Sequence, residues 1–316
     1  MVDFRYHIVS LIAVFLALGI GIVMGTTVID RAIVTRLEGD IDRLSDKVEK
    51  EKSAKELAES ELAQFNAFAE QGAKFFVANR LAGQTVTVLA ADGVPDDEIE
   101  ATVRIMRLAG AAVPAVVTYT NKFELGDQTA RDQLALFTNA PNSELETVRQ
   151  YSILNLAVKF GSAKLNADQQ GIVTPEVQAS LVGNLETDGF LTIEGKDIQQ
   201  GLDPNTLGGQ GTLAVVLGGG DVAEALMKTF YIPFTLQMAS GGRSLAAEGT
   251  TGEQALVLAV RADPSASATM STVDNINMAV GQFVAVIALE QELNGIYEHL
   301  GVGAGADRLL PERISS

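Results

Sequence analysis

An uncharged run of 22 residues near the N-terminus, Ile8–Ile29, limits the folds open to this chain more than any other feature. As a helix the run would be about 33 Å long, enough to cross a hydrocarbon core of about 30 Å. A cleaved signal peptide is the alternative, with Val23, Met24 and Gly25 as its cleavage region. Signal h-regions have only about 7–15 apolar residues. The length therefore favours a retained transmembrane anchor over residues 1–30.

Three small residues lie four positions apart within this run. Ala17, Gly21 and Gly25 share one helix face, and the last two form a GxxxG motif. Small residues at this spacing allow two helix backbones to approach closely in lipid. The pattern predicts a packing face for a second transmembrane helix, with the general abundance of glycine in membrane helices as the alternative.

The charges on either side of the run predict its orientation. Arg5 and the α-amino group precede it, whereas Asp30 and Glu38 offset Arg31 and Arg36 after it. Positive charge remains preferentially on the cytoplasmic side. We therefore expect a single-pass protein of the cell membrane, with a cytoplasmic N-terminus and an extracytoplasmic C-terminal domain. The absence of cysteine is compatible with this location.

A heptad repeat follows and predicts a coiled-coil stalk over residues 31–72. Apolar residues recur at its a and d positions, with polar Glu51 and Lys55 in the middle. The predicted seam consists of Val34, Leu37, Ile41, Leu44, Val48, Leu62 and Phe65. β-Branched residues at a with leucine at d favour a parallel coiled coil of two helices.

The charges beside the seam do not determine which helix the stalk binds. In a parallel homodimer, Lys47 at g would face Lys52 at e, a repulsive pair. The seam could therefore bind a second copy or a helix of another protein, giving a homo- or hetero-oligomer. The alternative is a single amphipathic helix packed against its own domain.

The remaining residues predict an α/β fold, with a doubly wound, mostly parallel sheet at 73–300. Predicted strands cover 85–90, 113–119, 190–193, 212–217, 255–260 and 283–289. Predicted helices cover 95–108, 127–139, 143–160 and 175–186, and another enters the 220s. Polar residues and glycines indicate a joint near 195–211, and the small-residue segment 301–316 a flexible tail.

Charge argues against a nucleic-acid partner. The chain has 40 acidic and 23 basic residues and a net charge of −17. Of these, 28 acidic and 15 basic residues lie beyond residue 71. An acidic domain repels phosphate backbones and anionic head groups.

The sequence contains no catalytic motif. It has no cysteine and no GxSxG, and its two histidines are His7 and His299. A hydrolytic triad is therefore not expected. The seven methionines are scattered and are interpreted as core filling, so no metal site and no cofactor are predicted. Gly218–Asp221, between a strand and a helix, is interpreted as a tight turn in which Asp221 caps the helix; the alternative is a phosphate-binding turn of a ligand sensor.

Three stretches resemble a known family. The opening Arg5–Leu11 with Ala13–Gly21 resembles the start of the actinobacterial mycobacterial copper transport protein B family. Ser271–Ile276, and Val284–Leu289 running on to Leu293–Gly295, agree with it, and the order of span, coil and α/β domain is similar over nearly the whole chain.

The resemblance implies an envelope protein of copper efflux and homeostasis, described for the family as an outer-membrane channel component. Corynebacterial relatives are linked to cell separation and act with a membrane partner on peptidoglycan hydrolysis. We therefore predict a non-enzymatic envelope scaffold or regulator that binds a membrane protein or a peptidoglycan-hydrolase system through the coil. A copper efflux channel component is the alternative, although the short strands, interleaved with helices, do not suit an outer-membrane barrel.

Overall fold

The computed structural model describes residues 4–195, 203–209, 211–249 and 255–312, without the side chains of Phe4, residues 26–35 and Glu70. The chain divides into two compact units, Met1–Phe65 and Asn66–Ser316. Helix α1 (Phe4–Val77) forms the described part of the first unit, and its last turns belong to the second.

The second unit is built on a seven-stranded sheet with the order β3-β2-β1-β4-β5-β6-β7. Its strands are β1 (Val86–Ala91), β2 (Val116–Tyr119), β3 (Leu191–Glu194), β4 (Leu213–Gly218), β5 (Ser244–Glu248), β6 (Thr272–Val273) and β7 (His299–Leu300). Every pair is parallel except β2–β3. The predicted α/β class, with an N-terminal apolar helix and a mostly parallel sheet, is confirmed, whereas the coiled coil stays a prediction.

Helices connect the strands. They are α2 (Asp96–Leu108), α3 (Gln128–Thr138), α4 (Leu145–Gly161), α5 (Pro175–Thr187), α6 (Glu224–Leu226), α7 (Ile232–Ala239), α8 (Leu256–Ala262), α9 (Pro264–Ser267) and α10 (Ala279–Glu292). A π-helical turn at Met227–Tyr231 joins α6 to α7. Several predicted starts are correct because local caps determine them: the Thr174 side chain accepts from Val177 N–H, with Pro175 in the first turn.

Two apolar layers cover the sheet. On one face, α3, α4, α5 and α7 enclose an aromatic cluster around Tyr119 and Phe234, whose ring centroids are 5.2 Å apart. Within this layer the Tyr231 hydroxyl donates to the carbonyls of Leu89 and Leu217 and so ties β1 to β4. The other face packs against α2, α10 and the last turns of α1, where Ala69, Ala73 and Val77 are buried.

Two predicted strands are wrong. Residues 256–260 and 283–289 lie in helices α8 and α10, and Ala255 directly precedes α8. A continuous apolar run is compatible with a buried strand or a buried helix, since neither leaves a polar face. Twelve of the 14 residues of α10 are buried, which explains why its sequence lacks amphipathic periodicity.

Strand β5 was missed because its sequence, Ser-Leu-Ala-Ala-Glu, has little β-propensity. Strands β6 and β7 have two residues each, too few for a periodic signal. Part of the predicted joint, 196–202 and 210, lies outside the described residues, as does 313–316 of the predicted tail.

Candidate functional site

Six of the seven predicted seam residues form an exposed apolar row on α1. Their exposed fractions are 55% for Leu37, 57% for Ile41 and 62% for Leu44. Val48, Leu62 and Phe65 are exposed by 56%, 46% and 50%. The side chain of Val34 lies outside the described residues. Within the part of the chain that the structure describes, the other six side chains are exposed to solvent.

Charges near the seam are paired along the helix itself. Lys47 lies 3.8 Å from Glu51, and Lys52 lies 3.8 Å from Glu56. Exposed pairs of this kind contribute only about 0.3–0.5 kcal/mol each. Even so, a glutamate beside each lysine reduces the Lys47–Lys52 repulsion that the sequence predicts for a parallel homodimer.

The predicted packing face of the transmembrane segment is also exposed among the described residues. Arg5–Gly25 is long and apolar enough to span a membrane, with a mean hydropathy of 2.7. A Cβ atom added at Gly21 or Gly25 would meet nothing within 4 Å. Ala17 shares this face and is exposed. The face therefore has room for a close neighbour, and its occupation stays a prediction.

The glycine turn after β4 closes against the turn after β1. Asp221 N–H donates to the Gly93 carbonyl over 3.0 Å. A Cβ atom on Gly93 would collide with the Asp221 backbone, and one on Gly220 with Gly93 and Pro95. The Asp221 N–H group is therefore already hydrogen-bonded and the two turns pack closely, which fits the tight-turn interpretation.

The predicted capping role of Asp221 is wrong. Helix α6 begins at Glu224 after Ala223, without a side-chain cap. The chain needs two further residues after the turn before its backbone becomes helical, so the Asp221 carboxylate lies outside the capping position.

A buried carboxyl group at the end of β5 caps the N-terminus of helix α8. Glu248 is fully buried and accepts hydrogen bonds from the backbone N–H groups of Leu256 and Val257. Burial raises the pKa of Glu248 to about 7, although these hydrogen bonds and the nearby Arg261 oppose the shift. Glu248 thus supplies the N-terminal cap that the sequence of α8 lacks.

A buried ion pair lies beside it. Arg261 of α8 and Asp274, which follows β6, are 3.0 Å apart, and their side chains are only 4% and 3% exposed. Asp274 also accepts from the N–H groups of Val302 at 2.6 Å and Gly303 at 3.0 Å. A Cβ atom on Gly301 would collide with this carboxylate. The pair therefore fastens the segment after β7 to the sheet.

One hydroxyl–imidazole contact has the elements of a nucleophilic site. Thr272 Oγ1 lies 3.1 Å from His299 Nδ1 and accepts from Arg261 Nε over 2.8 Å. Thr272 is fully buried, so a substrate cannot reach this oxygen. Burial lowers the pKa of His299 and favours the neutral ring. The contact stabilises the β6–β7 edge.

A second buried carboxyl group lies at the end of α10. Glu292 is 3% exposed, and its Oε1 accepts from Ser271 N–H over 2.7 Å. Burial raises the pKa of Glu292 to about 8, despite the opposing hydrogen bonds from Ser271. At neutral pH this side chain is therefore mostly protonated.

An open groove of about 1270 Å³, called the α2 groove below, lies between α2 and strands β2 and β3. Val116 and Thr118 form its half-buried floor, and Ile99 and Val103 its apolar wall. Its charged lining residues are Asp92, Asp96, Glu100, Arg104, Arg107, Glu194 and Asp221.

Copper-binding side chains do not cluster in the described part of the chain. No group of three or more histidine, cysteine, aspartate or glutamate residues there is placed to hold a metal ion. Met106, Met227, Met238 and Met270 are buried in the core, as predicted. Met24 is 68% exposed and lies in the candidate span, so the interpretation as core filling is wrong for this residue.

Sequence reasoning missed Glu248, Arg261, Asp274 and Glu292. Asp274 lies inside the Ser271–Ile276 stretch and directly follows a strand, a position that favours functional polar residues in parallel sheets. Glu248 gave no comparable signal because β5 itself was not recognised.

Comparisons with known proteins cover nearly the whole chain. Residues 1–311 match the family described as copper transport outer membrane protein, MctB. The copper transporter MctB of Mycobacterium tuberculosis is 27% identical over 313 residues, covering 97% of this chain and 98% of that protein. The copper transporter MctB of Mycobacterium leprae is 26% identical over 318 residues, with the same coverage. The resemblance predicted from the opening motif is therefore confirmed, and the chain belongs to the MctB family of copper transport outer membrane proteins.

Proposed function

We propose that this protein is a non-catalytic, membrane-anchored component of copper homeostasis that acts by binding other envelope proteins through the seam of α1. The copper role rests on membership of the MctB family. The candidate span Arg5–Gly25 supports membrane attachment.

The single observation that carries this proposal is the exposure of the seam. Six apolar side chains recur at heptad positions between residues 37 and 65, each 46–62% exposed. Apolar side chains in such a row lose contact with water when a second helix packs against them, and this is the driving force of coiled-coil assembly. The polar Glu51 and Lys55 lie at d and a positions in the middle of the row, where polar side chains can select one partner helix over others. That partner is an envelope membrane protein or a peptidoglycan-hydrolase system.

The chain itself offers a matched test. Leu37→Gln, Ile41→Gln and Leu44→Gln together remove apolar contacts from the seam. Leu57→Gln removes an equally exposed leucine, 61% exposed, at position c of the same register. A photo-crosslinking residue at Ser45 reports partner binding in cells, with mass spectrometry of the products.

The triple variant should lose most of the crosslinked product and should raise cellular copper, whereas Leu57→Gln should behave as the unsubstituted protein. Retention of the product by the triple variant would show that recognition lies elsewhere. Hydrogen exchange of the α/β unit must be unchanged in both variants.

A copper efflux channel component is the second candidate, because the family is described as a copper transport outer membrane protein. The described residues contain one candidate span, and a single helix cannot enclose a path for an ion, so several copies would have to assemble. Planar-bilayer recordings with the purified protein separate the two candidates. Copper conductance would support the channel, and a silent bilayer together with seam-dependent crosslinking would support the scaffold.

A further inference from the structure

The α2 groove is a part of the sheet that the described helices leave open. In the antiparallel pair β2–β3, Thr118 faces Thr192 and Val116 faces Glu194. Thr192 and Glu194 are exposed, and Val116 and Thr118 only half-buried. Their neighbours Val117 and Tyr119 point to the opposite face and are fully buried. One face of this strand pair is therefore packed, and the other borders the groove.

The dimensions of the groove suit a helix. Two neighbouring strands are about 10 Å wide, close to the diameter of one α-helix with its side chains. In α/β folds, helices pack on the faces of the sheet because this removes the apolar side chains of the strands from water. Helix α2 supplies the side wall through Ile99 and Val103, one turn apart and both half-buried.

Charge determines which helix fits. Five acidic and two basic side chains line the groove. Asp92 and Asp221 follow the carboxyl ends of β1 and β4, and Asp96 begins α2, so these three mark one acidic end. The chain as a whole has a net charge of −17, which opposes a second copy in this position.

We propose that the α2 groove binds a basic amphipathic helix of another protein. The apolar face of that helix would lie on Val116 and Ile99, and its lysine or arginine side chains would face the acidic end. This surface is separate from the seam of α1, so either can be correct without the other.

The test uses the full chain in its own membrane. In one variant of the chain, a photo-crosslinking residue replaces Thr192 on the floor of the groove. In a second variant of the same chain, it replaces Ala179, an exposed position on α5. Mass spectrometry then identifies the crosslinked peptide. We expect crosslinks from Thr192 but not from Ala179, to a peptide of net positive charge with apolar residues three and four apart.

Two sets of charge changes separate groove binding from general attraction to an acidic protein. Asp92→Asn, Asp96→Asn and Asp221→Asn together should reduce the yield at least about tenfold. Glu146→Gln, Asp168→Asn and Glu176→Gln, all exposed outside the groove, should leave it unchanged.

Crosslinks to a second copy, to lipid or to an acidic peptide, absence of any protein product, or equal losses in the two triple variants would each overturn the proposal. Crosslinking from Ser45 in the same variants shows that the chain is intact and reports separately on the seam.

Discussion

At the scale of single residues, the buried ion pair of Arg261 and Asp274 determines how the C-terminal segment is held. Arg261→Met should destabilise the protein by about 3–5 kcal/mol, because it leaves the Asp274 carboxylate buried without its counter-charge. Arg308→Met is the matched control, since Arg308 is 42% exposed and should cost less than about 0.5 kcal/mol. Urea unfolding in detergent, followed by tyrosine fluorescence, measures both. Equal losses would show that burial of the pair is unimportant.

Glu292 gives a pH dependence with a definite sign. Its pKa is about 8 in the folded protein, against an ordinary value of 4.5 for glutamate. Between these values the unfolded chain binds fewer protons at this residue, so the free energy of unfolding falls as pH rises and levels off above pH 8. Glu248, with a folded pKa of about 7, adds to the fall up to pH 7.

Glu292→Gln should therefore stabilise the protein relative to the unsubstituted chain by an amount that grows between pH 5 and 8. The limit is about 1.4 kcal/mol for each pH unit. Gln retains an oxygen that can accept from Ser271 N–H. Glu176→Gln on α5 is the matched exposed substitution. A constant difference between the Glu292→Gln and unsubstituted curves would contradict the assignment of a protonated Glu292.

These residues also show where sequence reasoning ends. Asp274 follows the two-residue strand β6, which gives no periodic signal, and its partners lie 13 residues before it, at Arg261, and 28 residues after it, at Val302. Only the parallel sheet brings them together. Likewise, nothing in the local sequence of α8 shows that Glu248, from another element, caps it.

At the scale of elements, local signals predicted well wherever they were strong. Caps and prolines placed α2 and α5, and the alternation from apolar strand to glycine turn placed β1 and β4. The failures are α8 and α10, because both contain continuous apolar runs without helical periodicity, and α10 is buried on nearly all sides.

The paired turns after β1 and β4 give a prediction at this scale. Gly220→Ala should destabilise the sheet by more than about 1 kcal/mol, because φ is +66° and the added Cβ would collide with Gly93 and Pro95. Gly126→Ala is the control, since its Cβ would meet nothing within 4 Å and its φ is not positive. Thermal unfolding compares them. A Gly220→Ala protein as stable as the control would mean that the two turns are not in contact.

At the scale of the whole molecule, the orientation in the membrane decides which proteins the seam and the groove can meet. The charge asymmetry around Ile8–Ile29 predicts a cytoplasmic N-terminus and an extracytoplasmic α/β unit. Because the chain has no cysteine, a single introduced thiol is an unambiguous label. Asp3→Cys tests the N-terminal side, and Ser180→Cys, at an exposed position on α5, tests the α/β unit.

A membrane-impermeant maleimide should label Ser180→Cys in intact cells and Asp3→Cys only after permeabilisation. Labelling of the reverse kind would place both binding surfaces in the cytosol and would exclude extracytoplasmic partners. A protein that carries Asp3→Cys yet never becomes labelled after permeabilisation, while Ser180→Cys does, would indicate that the apolar segment is removed as a signal peptide. In that case the seam would act on a released protein, because the hydrophobic span that holds it at the membrane would be gone.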